Sequence, residues 1–349
     1  MEVKIYFEQE RLFNHYVASH PNGDVLQTTN WGRLKAGHGW EYYPLAAEDK
    51  GKILASALIL IKDLSPLPLK LAYSPRGPVF SSPEALAAIW QGGASFCRSK
   101  GAVVWKMDPP LRKDNSHWSE LASKLDLVPI DTGLDFGGTQ PRFVMTLDLG
   151  PSCEELLGNM KSKTRYNIRY AQRKEVVVTR VKEKALMDEF YKLLEETAQR
   201  DRFTIRSSSY FYTLWDELME HKLAHLFLAR HEGELLAGAI LFILNNRAWY
   251  VYGASSNNKR NLQAATLIQW EMIRFAKSQG CRVYDFRGVS GNLDPDHPLY
   301  GLYRFKEGFG AQLVEYVGEY DLPLAKGGYF LWQRLLQAHR WLRTLRHPN

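Results

Sequence analysis

Arg230-His-Glu-Gly233-Glu-Leu-Leu-Ala-Gly-Ala-Ile-Leu-Phe-Ile243 opens on a charged glycine turn and runs on as a β-leaning apolar segment. The same order stands earlier in the chain, in Glu48-Asp-Lys-Gly51-Lys-Ile-Leu-Ala-Ser-Ala-Leu-Ile-Leu-Ile61, with the two glycines 182 positions apart. Outward from these turns come Leu71-Ala-Tyr73-Ser in the first copy and Trp249-Tyr-Val-Tyr252-Gly in the second, each reading as an aromatic-bearing strand that pairs back. Helical spacing follows over 83–100 and 262–279. Gly101-Ala-Val-Val-Trp-Lys-Met-Asp108 then matches Gly280-Cys-Arg-Val-Tyr-Asp-Phe-Arg287 at an offset of 179. An offset that barely drifts across four elements predicts two copies of one unit of hairpin, helix and strand: an α/β chain with mixed sheets flanked by helices.

The join is expected after the strand Gln140-Pro-Arg-Phe-Val-Met-Thr-Leu-Asp-Leu149, where Gly150-Pro151 precedes a helix opening at Ser152 with Glu155 as its capping-box partner. This gives a first domain over 1–149, a second over 150–317, and a segment 318–349 packing back on the first. The 349 residues, 45% apolar and 24% charged, are enough for two packed cores and exclude a disordered chain. Cys97, Cys153 and Cys281 lie too far apart in sequence for a C-x-x-C pair, so neither a disulfide framework nor a zinc cluster is supported. The charged N-terminus lacks the apolar stretch of a signal peptide, and the longest apolar run, 53–61, is far shorter than a membrane span. A cytoplasmic protein is the expectation.

The net charge of +7 is unevenly placed. Residues 161–182 carry eight cations against Glu175, and 326–349 carry five cations and no acid, leaving the rest of the chain at −5. In the first segment Lys161, Arg165, Arg169 and Arg173 recur every four residues, aligned along one helical face, with Lys163 nearby and Tyr166 and Tyr170 beside them. Such a stripe suits a phosphate backbone; an ordinary basic helix is the alternative. The second segment, with Phe330, Leu331, Leu335, Trp341, Leu342 and Leu345 among its cations, reads as a basic amphipathic helix that either docks on the protein's own core or meets a membrane surface or RNA. A third stretch, Gly301-Leu-Tyr-Arg-Phe305-Lys306-Glu-Gly308-Phe-Gly310, surrounds one lysine with aromatics and glycines. There the backbone could turn tightly near a ligand and a partly desolvated Lys306 could stabilise developing negative charge, or the stretch could be an ordinary loop. P-loop and nucleophile-elbow patterns are missing. His221 and His225 have metal-like spacing but read as structural.

The repeated unit resembles the acetyltransferase fold of the Gcn5-related superfamily (GNAT). Acetyl-CoA enzymes of that group hold a pyrophosphate on a Q/R-x-x-G-x-G/A loop, which here reads Arg260-Asn-Leu-Gln263-Ala-Ala265, with Gln in a glycine position. Taken together, GLYRFKEGFG at 301–310, KSKTRYNIRYAQRK at 161–174, Tyr73-Ser-Pro-Arg76-Gly-Pro78 and Gln140-Pro-Arg142 resemble the FemABX family of nonribosomal peptidyl transferases over nearly the whole chain. The resemblance implies two tandem GNAT-like domains and addition of an amino acid from aminoacyl-tRNA to the third-residue side-chain amine of a peptidoglycan stem peptide. The acceptor would be UDP-MurNAc-pentapeptide or lipid II. Tyr210-Phe-Tyr-Thr-Leu-Trp-Asp-Glu-Leu-Met219 runs almost directly into Leu226-Phe-Leu-Ala-Arg230, so the chain looks like the compact, FemX-like type without a coiled-coil arm.

By the same resemblance Lys35, Arg206, Tyr210, Tyr252 and Arg76 fall on precursor-binding positions, with Arg33 a neighbouring alternative to Lys35. Lys306, with Phe305, falls on the lysine associated with the aminoacyl-tRNA end and catalysis, and Asp108 becomes a candidate proton acceptor or a turn carboxylate. Lys161, Lys163, Arg165, Arg169 and Arg173 would contact tRNA phosphates. No metal or resident cofactor is expected, aminoacyl-tRNA being a co-substrate, and DNA is not an expected partner. The C-terminal basic helix could add peripheral contact at the inner membrane face. Two further readings stay open, an acyl-CoA-dependent N-acyltransferase and a noncatalytic RNA- or membrane-binding protein of the same fold.

Overall fold

A Lys-Gly or Glu-Gly pair closes each of the two long hairpins, and both residues of each pair take positive φ: Lys50 and Gly51 at 49° and 78°, Glu232 and Gly233 at 51° and 81°. This is the backbone a tight hairpin turn demands, because only that twist matches the flanking strands. The computed structural model describes residues 1–346, without the side chains of 116, 117 and 338–346. In it Glu41–Asp49 pairs antiparallel with Lys52–Asp63, and Ala224–His231 with Glu234–Leu244. A β-bulge interrupts the first pair after Ala47 and the second after Ala229, again 182 positions apart. The duplication therefore extends to backbone irregularities that sequence patterning does not reveal.

Each hairpin is followed by an antiparallel strand, Lys70–Ser74 or Arg247–Ser255, then by a helix, Pro83–Ser99 or Ala264–Ser278, and by a strand parallel to the last, Ala102–Met107 or Val283–Gly288. Ser82 caps the first helix by accepting from the Ala85 amide at 3.2 Å, with Pro83 in its first turn. Gly101 and Gly280, at φ of 78° and 82°, release the chain from the helices into the strands. The predicted capping box is present too: Glu155 N donates to Ser152 Oγ at 3.2 Å and Ser152 N to Glu155 Oε2 at 2.7 Å.

Among the described residues the first sheet has eight strands. Its path runs Glu2–Ile5, Glu41–Asp49, Lys52–Asp63, Lys70–Ser74, Ala102–Met107, Glu319–Pro323, Val128–Ile130, with Val79–Phe80 added on Lys52–Asp63. The second has seven: Gln312–Glu315, Phe143–Asp148, Val283–Gly288, Arg247–Ser255, Glu234–Leu244, Ala224–His231, Val177–Arg180. The chain divides into one unit of residues 1–132 with 316 onward and another of residues 133–315. These limits differ from the predicted 149/150 and 317/318 boundaries. The strand Phe143–Asp148, assigned by sequence to the first domain, pairs with Val283–Gly288 and Gln312–Glu315 in the second sheet. Glu319–Pro323 in turn fills the slot between Ala102–Met107 and Val128–Ile130 in the first. The first sheet is thus completed by a strand from beyond the second repeat, and the second by a strand from the join between the repeats.

The first core lies between its sheet and the helix Pro83–Ser99, where the Trp90 and Trp105 rings stack 5.3 Å apart. Gly93 makes that approach feasible, since a Cβ there would come within 2.6 Å of the Trp105 ring. The second core gathers Phe143, Leu147, Leu267, Ile273, Tyr284, Phe286 and Phe309. Lys106 anchors the returning strand: its buried Nζ lies 3.0 Å from Glu319 Oε2 and 3.1 Å from Asp321 Oδ1. Removing that cation takes the countercharge away from two buried carboxylates, so Lys106→Ala is expected to cost about 3 kcal/mol or more. A urea unfolding curve checks this; an unchanged midpoint contradicts it.

Candidate active site

Lys306 sits in the helix Tyr300–Glu307, so the stretch that composition left open as a loop is helical through its lysine. The side chain is only 3% exposed. Its Nζ donates to the carbonyl oxygens of Gly288 at 2.6 Å and Arg287 at 3.3 Å, at the end of the strand Val283–Gly288. Burial pushes the ammonium pKa down to about 7, with Asp285 opposing the shift and the Arg287 charge adding to it. Arg287 has a left-handed backbone, φ 63°. Its amide donates to Asp285 Oδ1 at 2.6 Å, and its guanidinium to Gln140 Oε1 at 2.8 Å, which gives the short Gln140-Pro-Arg142 motif a place in the site.

Gly308 shows why this helix and the basic helix Ser162–Arg173 belong together. A Cβ on Gly308 would meet Thr164 Oγ1 at 2.5 Å, and the Gly308 carbonyl accepts the Lys161 amide at 2.9 Å. A cavity of about 370 Å³ between the two elements is lined by Lys161, Lys163, Asn167, Arg304 and Phe305. Phe305, edge-on to Phe309 at 5.3 Å, and Asn167 also line a second cavity of about 540 Å³ with Lys259, Arg260 and Gln263. Gln263 takes φ 59°, the conformation glycine adopts most cheaply, so a side chain stands at a left-handed position of this loop.

The basic stripe is less uniform than its four-residue spacing predicts. Arg165 turns back to donate to the carbonyls of Gly158 and Met160, closing the end of the helix Cys153–Asn159, and is not presented as part of an open phosphate stripe. Lys161 Nζ is 2.5 Å from Glu307. Lys163, Arg169 and Arg173 are exposed, Arg173 with its guanidinium 6.0 Å from the Tyr166 ring, which stacks on Tyr170. Arg304, Asn167 and Arg287 were missed by sequence reasoning. Arg304 and Asn167 stand inside the two longer motifs, at 301–310 and 161–174, whereas nothing local marks Arg287.

Three predicted precursor residues come together in the same unit. The exposed Arg206 guanidinium lies 5.8 Å from the Tyr210 ring, and Tyr252 Oη donates to Tyr210 Oη at 3.3 Å. Burial raises both hydroxyl pKa values, and Arg206 and Arg287 act on Tyr252 in the opposite sense. This row therefore leads from Arg206 toward the strand end that holds Lys306.

In the other unit Lys35 is buried with its Nζ 5.1 Å from the Trp40 ring and 6.0 Å from Trp31. Arg33, the neighbouring alternative, pairs with Glu10, which also accepts from Tyr42 at 3.1 Å. Asp108 is buried with both oxygens engaged, accepting from Tyr73 Oη at 2.6 Å and the Arg76 amide at 2.5 Å. Burial raises its pKa to about 7 against the pull of Arg76 and these two donors. Arg76, at φ 53°, places its guanidinium 4.9 Å from the Tyr316 ring. His225 packs edge-on against Phe275 at 4.9 Å, and burial lowers its pKa to about 4.

The model of the FemAB family matches residues 9–233 and 230–336. The chain belongs to the FemAB family. It is 27% identical to a lipid II:glycine glycyltransferase of Staphylococcus haemolyticus, over 92% of this chain and 93% of that one. The alignment spans 391 positions against 349 residues here, so that relative has segments without a counterpart. The crystal structure of FemX superposes with a TM-score of 0.88 at 27% identity, covering 95% of this chain and 99% of FemX. This fits the compact type, since the helix Ser208–Leu214 and the turn 215–219 lead straight to the strand beginning at Ala224. A tandem GNAT protein from clavulanic acid biosynthesis, 11% identical with a TM-score of 0.57 over 93% of this chain and 99% of that one, shares the fold. As a FemAB member the chain is an aminoacyltransferase of peptidoglycan cross-bridge formation.

Lys306 makes a sign-definite pH prediction. Its folded pKa of about 7 lies below the unfolded value, so between about 7 and 10.5 the unfolded chain binds the extra proton. The destabilisation caused by burying Lys306 is therefore full below pH 7 and fades as the pH rises. Relative to the parent, the stability of Lys306→Met should fall by up to about 1.4 kcal/mol per pH unit across that window. Denaturant titrations at several pH values read it; a pH-independent difference contradicts it.

Proposed function

We propose that this aminoacyltransferase takes its acyl group from aminoacyl-tRNA and delivers it to the side-chain amine of the third residue of the stem peptide on lipid II. The observation that carries the reading is the buried Lys306 and its neighbour in the same helix, Phe305, which lines a cavity together with Lys161, Lys163 and Arg304. Lipid II, the substrate for which the Staphylococcus haemolyticus relative is named, supports the lipid-linked acceptor. Charged tRNA confines the reaction to the cytoplasmic side, and no described helix is long and apolar enough to cross a membrane.

An aminoacyl ester is already activated, so no serine or cysteine nucleophile is needed. The acceptor amine attacks the ester carbonyl; a C–N bond forms, the ester C–O bond breaks, and the terminal ribose leaves as its hydroxyl, taking a proton while the amine gives one up. Negative charge grows on the carbonyl oxygen between those events. Lys306, protonated, is the proposed group that meets it, and Phe305 the wall that excludes water beside it. Lys163, Arg169 and Arg173, with Lys161, are the proposed tRNA phosphate contacts, which position the acyl end without reading sequence. Arg206, with Tyr210 and Tyr252, is the proposed precursor contact of the second unit. Lys35 and Arg76 are those of the first, and Asp108 is proposed to act by holding Tyr73 and the Arg76 turn in place.

The test offers purified protein a panel of charged tRNAs, lipid II and UDP-MurNAc-pentapeptide, with acetyl-CoA as a separate donor. Transfer from at least one charged tRNA is expected, and Arg206→Ala should raise the precursor KM roughly tenfold by removing one charged contact. Acetyl transfer with none from tRNA would overturn the reading.

A further inference from the structure

The long helix Lys326–Arg346 is only partly used by the fold. Tyr329 and Trp332 are buried with Leu69, Val103 and Val104, and Leu335 and Leu336 pack beside them. Phe330 and Leu331 face elsewhere and are 58% and 41% exposed. At 100° per residue, the positions in line with these two farther along are occupied by Trp341, Leu342 and Leu345. The positions in line with the Tyr329 and Trp332 face are occupied by Arg340, Arg343 and Arg346. These later residues are placed by sequence alone, their side chains lying outside the described residues. In sequence, then, the aromatics of the docking-face positions give way to arginines, and the line of Phe330 and Leu331, after Arg334 and Gln337, has apolar residues again at Trp341, Leu342 and Leu345. A helix serving only its own core would keep its apolar residues on the docked side.

A second element lies beside the first. The turn Ser65-Pro66-Leu67-Pro68 is exposed and uncharged, with Leu67 36% exposed. Leu64 and Leu69 on either side of it pack into the same cluster as Tyr329 and Trp332. Lys62, Asp63 and Lys70 flank the turn, with Asp63 Oδ1 accepting from the Ser65 amide at 3.0 Å, and Lys326 and Arg334 are exposed on the helix, the Arg334 guanidinium 5.0 Å from the Phe330 ring. The segment 326–349 contains no acid.

We propose that this surface seats the protein on an anionic phospholipid bilayer. Phe330, Leu331 and Leu67 enter the boundary between headgroups and acyl chains, and the surrounding cations meet lipid phosphates. Arg334 is suited to this, because its stem can lie along apolar surface with its charge at headgroup level. Exposed Phe330 and Leu331 beside a Pro-Leu-Pro turn favour lipid over RNA, whose backbone would be met by cations without such apolar side chains. The inference does not depend on the transfer reaction, although a lipid-linked acceptor would be met at the same surface.

Flotation of the full chain with vesicles tests it. Association is expected with phosphatidylglycerol–phosphatidylcholine vesicles, at least about tenfold weaker with phosphatidylcholine alone, and reduced more than about tenfold in Phe330→Ser/Leu331→Ser, whose two positions are exposed. Leu67→Ser should give a smaller loss of the same sign. Far-ultraviolet circular dichroism and transfer to soluble UDP-MurNAc-pentapeptide should match the parent protein. Absence of binding to the mixed vesicles overturns the proposal, as does binding that the double substitution leaves unchanged. So does a double substitution that weakens tRNA binding and spares vesicle binding. Vesicle binding without any transfer would overturn the reaction and leave the docking surface standing.

Discussion

An ammonium group held against the carbonyls of Arg287 and Gly288 is the constraint on which the second unit's chemistry rests. Burying Lys306 would be prohibitive without acceptors, and two carbonyls at a strand end supply them. The two carbonyls fall where the register with Phe143–Asp148 breaks, between Asp285 and Gly288, and the left-handed Arg287 sits in that break while sending its own guanidinium to Gln140. The same residue therefore lies in the irregularity, supplies one acceptor and places a second positive charge near Lys306, which lowers its pKa further. With a pKa of about 7 the lysine is divided between charged and neutral states near physiological pH, and the proposed stabilisation of carbonyl charge belongs to the charged form.

Strand placement frames that site. Val283–Gly288 lies between Arg247–Ser255 of its own repeat and Phe143–Asp148, which enters from the sequence before the second repeat begins. In the first sheet Glu319–Pro323 arrives from after the second repeat and is fixed by the buried Lys106, Glu319 and Asp321 group. The second sheet is drawn from one contiguous stretch whose two ends pair with each other, whereas the first needs a strand from beyond that stretch. This ties formation of the Lys306 environment to pairings far apart in sequence.

The duplication was legible because it is written in local signals: turn glycines, cap residues and apolar runs repeating at nearly constant offset. Tyr210 and Tyr252, suggested by resemblance, do meet, as do the lysine motif and the basic helix. The domain limits were not legible, because strand character is local whereas the choice of partner strand is not. Arg165 illustrates a second limit. Its four-residue spacing is that of a cation stripe, yet the preceding helix end lies close enough for its carbonyls to claim the guanidinium. Gln263 illustrates a third, since a residue type that argues against a glycine conformation adopts it here. For the C-terminal helix both alternatives read from sequence find a footing, with Tyr329 and Trp332 docked and Phe330 and Leu331 left outside; Trp341, Leu342 and Leu345 lie outside the described side chains.

The role of Lys306 is tested most directly by single-turnover transfer from charged tRNA to the precursor, comparing the parent protein with Lys306→Ala and measuring tRNA affinity in parallel. If the lysine stabilises the carbonyl charge, the rate constant falls by about 10²- to 10³-fold while affinity for tRNA is retained. A rate equal to that of the parent, or a loss explained entirely by weaker tRNA binding, would contradict it.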